Sequence, residues 1–166
     1  QGEHIATDQS GNVYVAGYFT QSATFGSQSL TSPAGGVTIF IAKYSPTGEI
    51  LWVQQPTATN SSSIGGMTVD ANGNVYLTGS FRGRITIGSV ILTSRGGADV
   101  FTVKLNSSGE AQWGRNEGGS SDSPIPSESG TGIAADEVGH VYVTGYFHGS
   151  TTLGATAFTS SGESDI

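Results

Sequence analysis

The 166-residue chain has no cysteine, one methionine, two tryptophans and five prolines, and only 11% of its residues are charged. Without cysteine, disulfides, thiolate metal sites and cysteine nucleophiles are excluded together. Six basic side chains against thirteen acidic ones give a formal charge of −7, which argues against binding to nucleic acid phosphates or to an anionic membrane surface. No apolar run approaches the length of a membrane span, and the residues from Gln1 lack the pattern of a signal peptide. Any targeting segment is therefore expected to have been removed or to lie outside these residues.

What is abundant is glycine, at 26 residues, beside serine and threonine, with apolar residues at only 35%. That balance suits short strands joined by tight turns, and little helix is expected. The stretch Asp70-Ala71-Asn72-Gly73-Asn74-Val75-Tyr76-Leu77-Thr78-Gly79-Ser80-Phe81 recurs almost unchanged from Asp8 to Phe19 and from Asp136 to Phe147. Asp8 and Asp70 stand 62 residues apart, and Asp70 and Asp136 stand 66 apart. Further landmarks keep step: Thr24-Phe25-Gly26 with Thr86-Ile87-Gly88 and Leu153-Gly154, Lys43 with Lys104, and Trp52 with Trp113. The expected organisation is repeat 1 over 1–66, repeat 2 over 67–132 and a partial repeat 3 over 133–166.

Each repeat predicts a strand into Asp8, Asp70 or Asp136, a tight turn closed by glycine, and a strand rich in Val, Tyr and Phe. Neither face of that strand is polar, so both must be covered. A short hairpin, an Ile- or Val-rich strand ending in lysine, and a tryptophan strand follow. Four antiparallel strands per repeat, apolar on both faces, suit β-propeller blades of about 62 to 66 residues, two complete and one partial. A sandwich would show polar alternation instead.

The order Ile-Ala-x-Asp-x-x-Gly-Asn-Val-Tyr-Val-x-Gly-x-Phe, Thr-Phe-Gly, Leu-Thr-Ser, Gly-Gly-x-Asp-x-Phe-x-x-Lys and a tryptophan strand resembles the SBBP-type β-propeller repeat. The resemblance implies a propeller fold and an exported or surface setting in bacteria or archaea, with no common reaction. His140 departs from the pattern where Asn12 and Asn74 stand, as does Thr38 where Asp99 and Asp165 stand. Asp165-Ile166 align with Asp99-Val100, so these residues stop where the lysine strand should begin. Since propellers close with four to eight blades, a part of a longer protein, an assembly of copies or an open array is expected.

Asp70 to Asn74 can be read as a calcium loop of clustered oxygens. Val138 stands in the third copy where Asn72 stands in the second, so turn capping by Asp8, Asp70 and Asp136 is favoured, with calcium as the alternative and no other cofactor expected. Lys43 and Lys104 sit among apolar neighbours and call for a carboxylate, for which Asp8, Asp70 and Asp136 are the candidates. Trp52 and Trp113 are read as packing between repeats. Asn60-Ser61-Ser62 and Asn106-Ser107-Ser108 match the glycosylation pattern and are read as turns, as is Gly130-Thr131-Gly132. His4, His140 and His148 form no spaced metal motif, and no catalytic set is legible.

The largest length difference between repeats lies in Asn116 to Gly130, rich in Ser, Gly, Pro and acid. It is expected to be a surface loop offering Asp122, Ile125 and Glu128 to a protein or glycan. The function expected is a non-catalytic extracellular or cell-surface scaffold for interaction or adhesion. The alternative is a structural subunit that self-assembles through exposed strand edges.

Overall fold

The computed structural model describes residues 1–33, 36–119, 128–161 and 165. Among them there is no α-helix, and all pairing between strands is antiparallel. The first sheet has the order β1 (Gly2–Thr7), β2 (Val13–Phe19), β5 (Thr38–Tyr44), β6 (Ile50–Gln54). Between β2 and β5 the chain makes a separate hairpin of β3 (Ser22–Phe25) and β4 (Gln28–Thr31).

In the second sheet β8 (Ser62–Val69) and β10 (Val90–Leu105) flank β9 (Val75–Ile87), and β11 (Ala111–Glu117) lies outside β10. Here β9 and β10 each run through the small hairpin as well as the main strand, with a break in register between Thr93 and Ala98. The sequence predicts separate segments; at the junctions the strands continue through glycines at positive φ, Gly83 at +77° and Gly96 at +138°. Thr57–Ala58, expected as polar connector, forms β7 against Thr86 and Ile85 of β9. The third repeat contributes β12 (Glu128–Ala135) with β13 (Val141–Phe147), and β14 (Ser150–Leu153) with β15 (Thr156–Thr159).

The two-sided apolar strands do what their composition requires. Tyr14, Ala16, Ile39 and Ile41 of the first sheet share one core with Ile64, Val75, Leu77, Phe101, Val103 and Leu105 of the second. Residues of opposite parity, including Phe19, Phe40 and Ala42, turn to the other face and pack with Phe25 of the small hairpin. The sheets therefore stack face to face, and alternation along one strand feeds two cores.

Gly130 and Gly132 are not turn glycines. They lie inside β12 at a register shift, against the backbone of β8: a Cβ on Gly65 would stand 2.0 Å from the Gly130 oxygen, and one on Gly66 3.1 Å from the Gly132 Cα. Two inner strands come this close only where neither carries a side chain.

Candidate functional site

The recurring aspartates close three matching turns. In the first, Gly11 N–H donates to the Asp8 carbonyl and Asp8 N–H donates to the Asn12 carbonyl, at 3.1 Å each. The same pair of bonds joins Asp70 with Gly73 and Asn74, and Asp136 with Gly139 and His140. The glycine takes positive φ in each copy, +77°, +75° and +91°, as this hairpin loop demands.

The carboxylates then satisfy the remaining donors. Asp8 Oδ1 accepts the Ser10 and Asn12 N–H groups, and Oδ2 accepts Asn12 Nδ2 and the Tyr14 hydroxyl. Asp70 does the same with Asn72, Asn74 and Tyr76. At Asp136 the donors are Val138 N–H, His140 N–H and the Tyr142 hydroxyl, with His140 Nδ1 at 2.8 Å in the place of the asparagine amide. Desolvation pushes the Asp8 and Asp70 carboxyls up, but the combined hydrogen bonds from the asparagine, the tyrosine and the turn amide outweigh it and hold both below the ordinary value. The same balance of desolvation and hydrogen bonds from His140 and Val138 leaves Asp136 lowered as well. The tyrosine six positions after each aspartate is present in all three copies, a signal that spacing alone could have supplied.

Tyrosine, lysine and tryptophan lie side by side across three strands, Tyr14 opposite Lys43 opposite Trp52, and Tyr76 opposite Lys104 opposite Trp113. Lys43 Nζ stands 5.0 Å from the Tyr14 ring centroid and Lys104 Nζ 5.2 Å from that of Tyr76, within cation–π range. The expected carboxylate is present for Lys43, whose Nζ is 3.8 Å from Asp8 Oδ2. Among the described residues no carboxylate lies within that range of Lys104.

The first row reaches into the second repeat. Trp52 Nε1 donates to the Ser107 carbonyl at 3.0 Å, Lys43 Nζ donates to the same oxygen at 3.3 Å, and the Tyr14 hydroxyl is 3.2 Å from the Gly73 carbonyl. The Trp52 ring lies on Gly109, where a Cβ would approach to 2.8 Å. Trp52 thus packs between repeats, on a turn that Asn106 caps by accepting the Ser108 and Glu110 N–H groups. Trp113 is half-buried at the edge of a cavity of about 900 Å³ between the second sheet and β13.

Asp99 is fully buried; Arg95 N–H and Asn116 Nδ2 donate to its Oδ2, and among the described residues Oδ1 has no hydrogen-bond partner. Burial pushes its carboxyl up. Asp165 likewise accepts the N–H four residues earlier, from Ser161. In the first repeat Thr38 bonds Ser32 at 2.6 Å instead.

Of the three residues assigned to the insertion, Asp122 and Ile125 lie outside the described residues. Glu128 opens β12, is buried, and accepts the Gly119 N–H at 3.1 Å.

Antiparallel sheets stacked through a repeated turn define an all-β repeat protein. Residues 1–18 match the family model SBBP, described as a beta-propeller repeat. Over 115 residues the chain is 31% identical to an uncharacterized WD repeat-containing protein of Acanthamoeba polyphaga mimivirus, a match that covers 62% of this chain and 8% of that relative. The chain thus spans a small part of the relative's length.

Proposed function

We propose that the sheets are propeller blades, divided as 1–66, 67–132 and 133–166, and that the chain serves as a non-catalytic scaffold for interaction or adhesion outside the cell or on its surface. The observation carrying this reading is where the shared side chains go. The aspartate, tyrosine, lysine and tryptophan of the first repeat all bond within their turn or to the neighbouring repeat, which supports a structural role for them. The carboxylate oxygens of Asp8 and Asp70 each point at amide and hydroxyl donors, so turn capping without calcium or another cofactor is the role proposed for them.

Binding to a protein or glycan is then assigned to what differs between repeats, above all the insertion holding Asp122 and Ile125. A glycan array and a surface-protein pull-down with the chain, beside a variant whose residues 120–127 are replaced by glycine and serine, test this. Loss of the captured ligand with unchanged thermal unfolding supports the reading. Equal capture by both proteins, or capture by neither, overturns it.

A further inference from the structure

The hairpin part of the second sheet has an apolar face and a polar one. Ala58 of β7, Ile85 of β9 and Leu92 of β10 pack in or against the shared core. Residues of opposite parity form two rows across the same strands, Thr57 with Thr86 and Ile91, and Thr59 with Arg84 and Thr93. Thr59 N–H donates to the Arg84 carbonyl at 2.9 Å, and its hydroxyl accepts the Arg84 N–H at 2.9 Å. Thr59, Arg84 and Thr93 are exposed, and so is Arg95, two positions along β10 from Thr93.

These arginines belong to the second repeat alone. Where it pairs Arg84 with Thr93, the first repeat pairs Ser22 with Thr31 and the third pairs Ser150 with Thr159, hydroxyl against hydroxyl. Arg95 follows Ser94 as Pro33 follows Ser32 and Ser161 follows Ser160. Among the described residues no carboxylate forms an ion pair with Arg84 or Arg95. Residues 50–98 hold three arginines, no lysine and a single acid, Asp70, whose oxygens are occupied in its turn. In a chain of formal charge −7 the sign of the charge is reversed at this face. The row ends at a cavity of about 310 Å³ between the first two repeats, whose lining includes Thr57, Thr59, Asn60, Val37 and Thr38.

We propose that the row Thr59, Arg84 and Thr93, with Arg95 beside it and the cavity at its end, binds an acidic polysaccharide whose sugar rings carry carboxylates. Each guanidinium offers paired N–H donors that match a carboxylate in a bidentate fork. The threonine hydroxyls donate and accept, as the hydroxyls of a sugar ring require, and one ring enters the cavity against Thr57 and Asn60. An acidic peptide fits this face less well, because its backbone needs an open strand edge. The strand carrying Arg84 is paired on both sides, and the Thr93 carbonyl beyond it already accepts Asn116 Nδ2. This extends the scaffold reading to a second surface that uses no residue of the insertion, and either can fail alone.

Calorimetric titration of the full chain with a galacturonate hexasaccharide, at about 50 mM salt, tests the site. Saturable binding is expected, weakened about fivefold by Arg84→Ser and by Arg95→Ser, each with unchanged thermal unfolding. Both substitutions introduce the residue that the third repeat carries at the same place, so the fold has a precedent for them. The methyl-esterified hexasaccharide should not bind, and Arg115→Ser, which removes the same charge from β11, should bind as the native chain does. No saturable heat at millimolar hexasaccharide, or equal binding by both variants at Arg84 and Arg95, overturns the proposal. Equal weakening by Arg115→Ser overturns it in favour of attraction by net charge, and equal binding of a glutamate hexapeptide in favour of an acidic peptide. Loss of binding when residues 120–127 are replaced overturns it by moving the ligand to the insertion.

Discussion

The turns at Asp8 and Asp136 are built from the same hydrogen bonds, yet the Asp8 side chain is 7% exposed and that of Asp136 34%. Asp8 is covered by Lys43 and by the Gly73 turn of the next repeat, and its tyrosine is fully buried. Asp136 keeps its donors without that cover. Local capping and burial are therefore separable here. The turn forms from its own residues, and its energetic weight depends on what is laid over it.

The largest effect expected is for Asp8→Ala, which strands the Asn12 amide, takes one of two acceptors from the Tyr14 hydroxyl and removes the carboxylate beside the buried Lys43. A loss of about 3 kcal/mol in denaturant unfolding is expected, against less than about 1 kcal/mol for Asp136→Ala, where water replaces the lost acceptor. Equal losses would mean that capping alone matters. Gly73→Ala should follow at about 2 kcal/mol. It adds to the cost of positive φ a Cβ only 2.9 Å from the Tyr14 hydroxyl, whereas Gly139→Ala meets nothing within 4 Å among the described residues and should cost about 1 kcal/mol from φ alone.

Acid sharpens the comparison differently. Asp8 and Asp70 are held below the ordinary value of 3.8, so the stability they confer is complete above that value and is lost as the pH falls through their lower folded values. Asp99 is shifted upward, so its contribution has the opposite sign, favourable below 3.8 and lost as the pH rises through its folded value. Side-chain carboxyl ¹³C titration should place Asp99 above both turn aspartates; the reverse order would refute the burial argument. The smallest effect is expected for His140→Asn, which restores the amide of the other copies at an exposed turn. It should change stability by less than about 0.5 kcal/mol in a thermal melt at neutral pH.

Much of this architecture was legible because its determinants are local. Aspartate, glycine three positions on and tyrosine six positions on specify a turn and the strand after it, and the three copies confirm one another. Trp52 was legible as packing, because a large aromatic recurring on an outer strand needs a neighbour. The carbonyl of Ser107 that receives it was not, since a backbone acceptor leaves no trace in residue type. The same holds for Gly130 and Gly132: the approach of β8 explains them, and its distance is a property of two strands 65 residues apart in Gly65 and Gly130. Glu128, acidic and next to a polar insertion, had the composition of a loop but lies at the buried start of β12. The contrast between Lys43 and Lys104 likewise depends on tertiary surroundings, since their sequence neighbours are alike.

Three polar contacts between the first two repeats run one way, since Trp52, Lys43 and Tyr14 all reach forward to carbonyls of the second repeat. A stack joined this way has a head and a tail, with polar side chains of the first member reaching backbone carbonyls of the second beside the apolar core that both share. Copying a repeat in the gene therefore copies donor and acceptor together. A duplicated unit would carry the forward-reaching residues, the turns that receive them and the apolar residues of the shared core together.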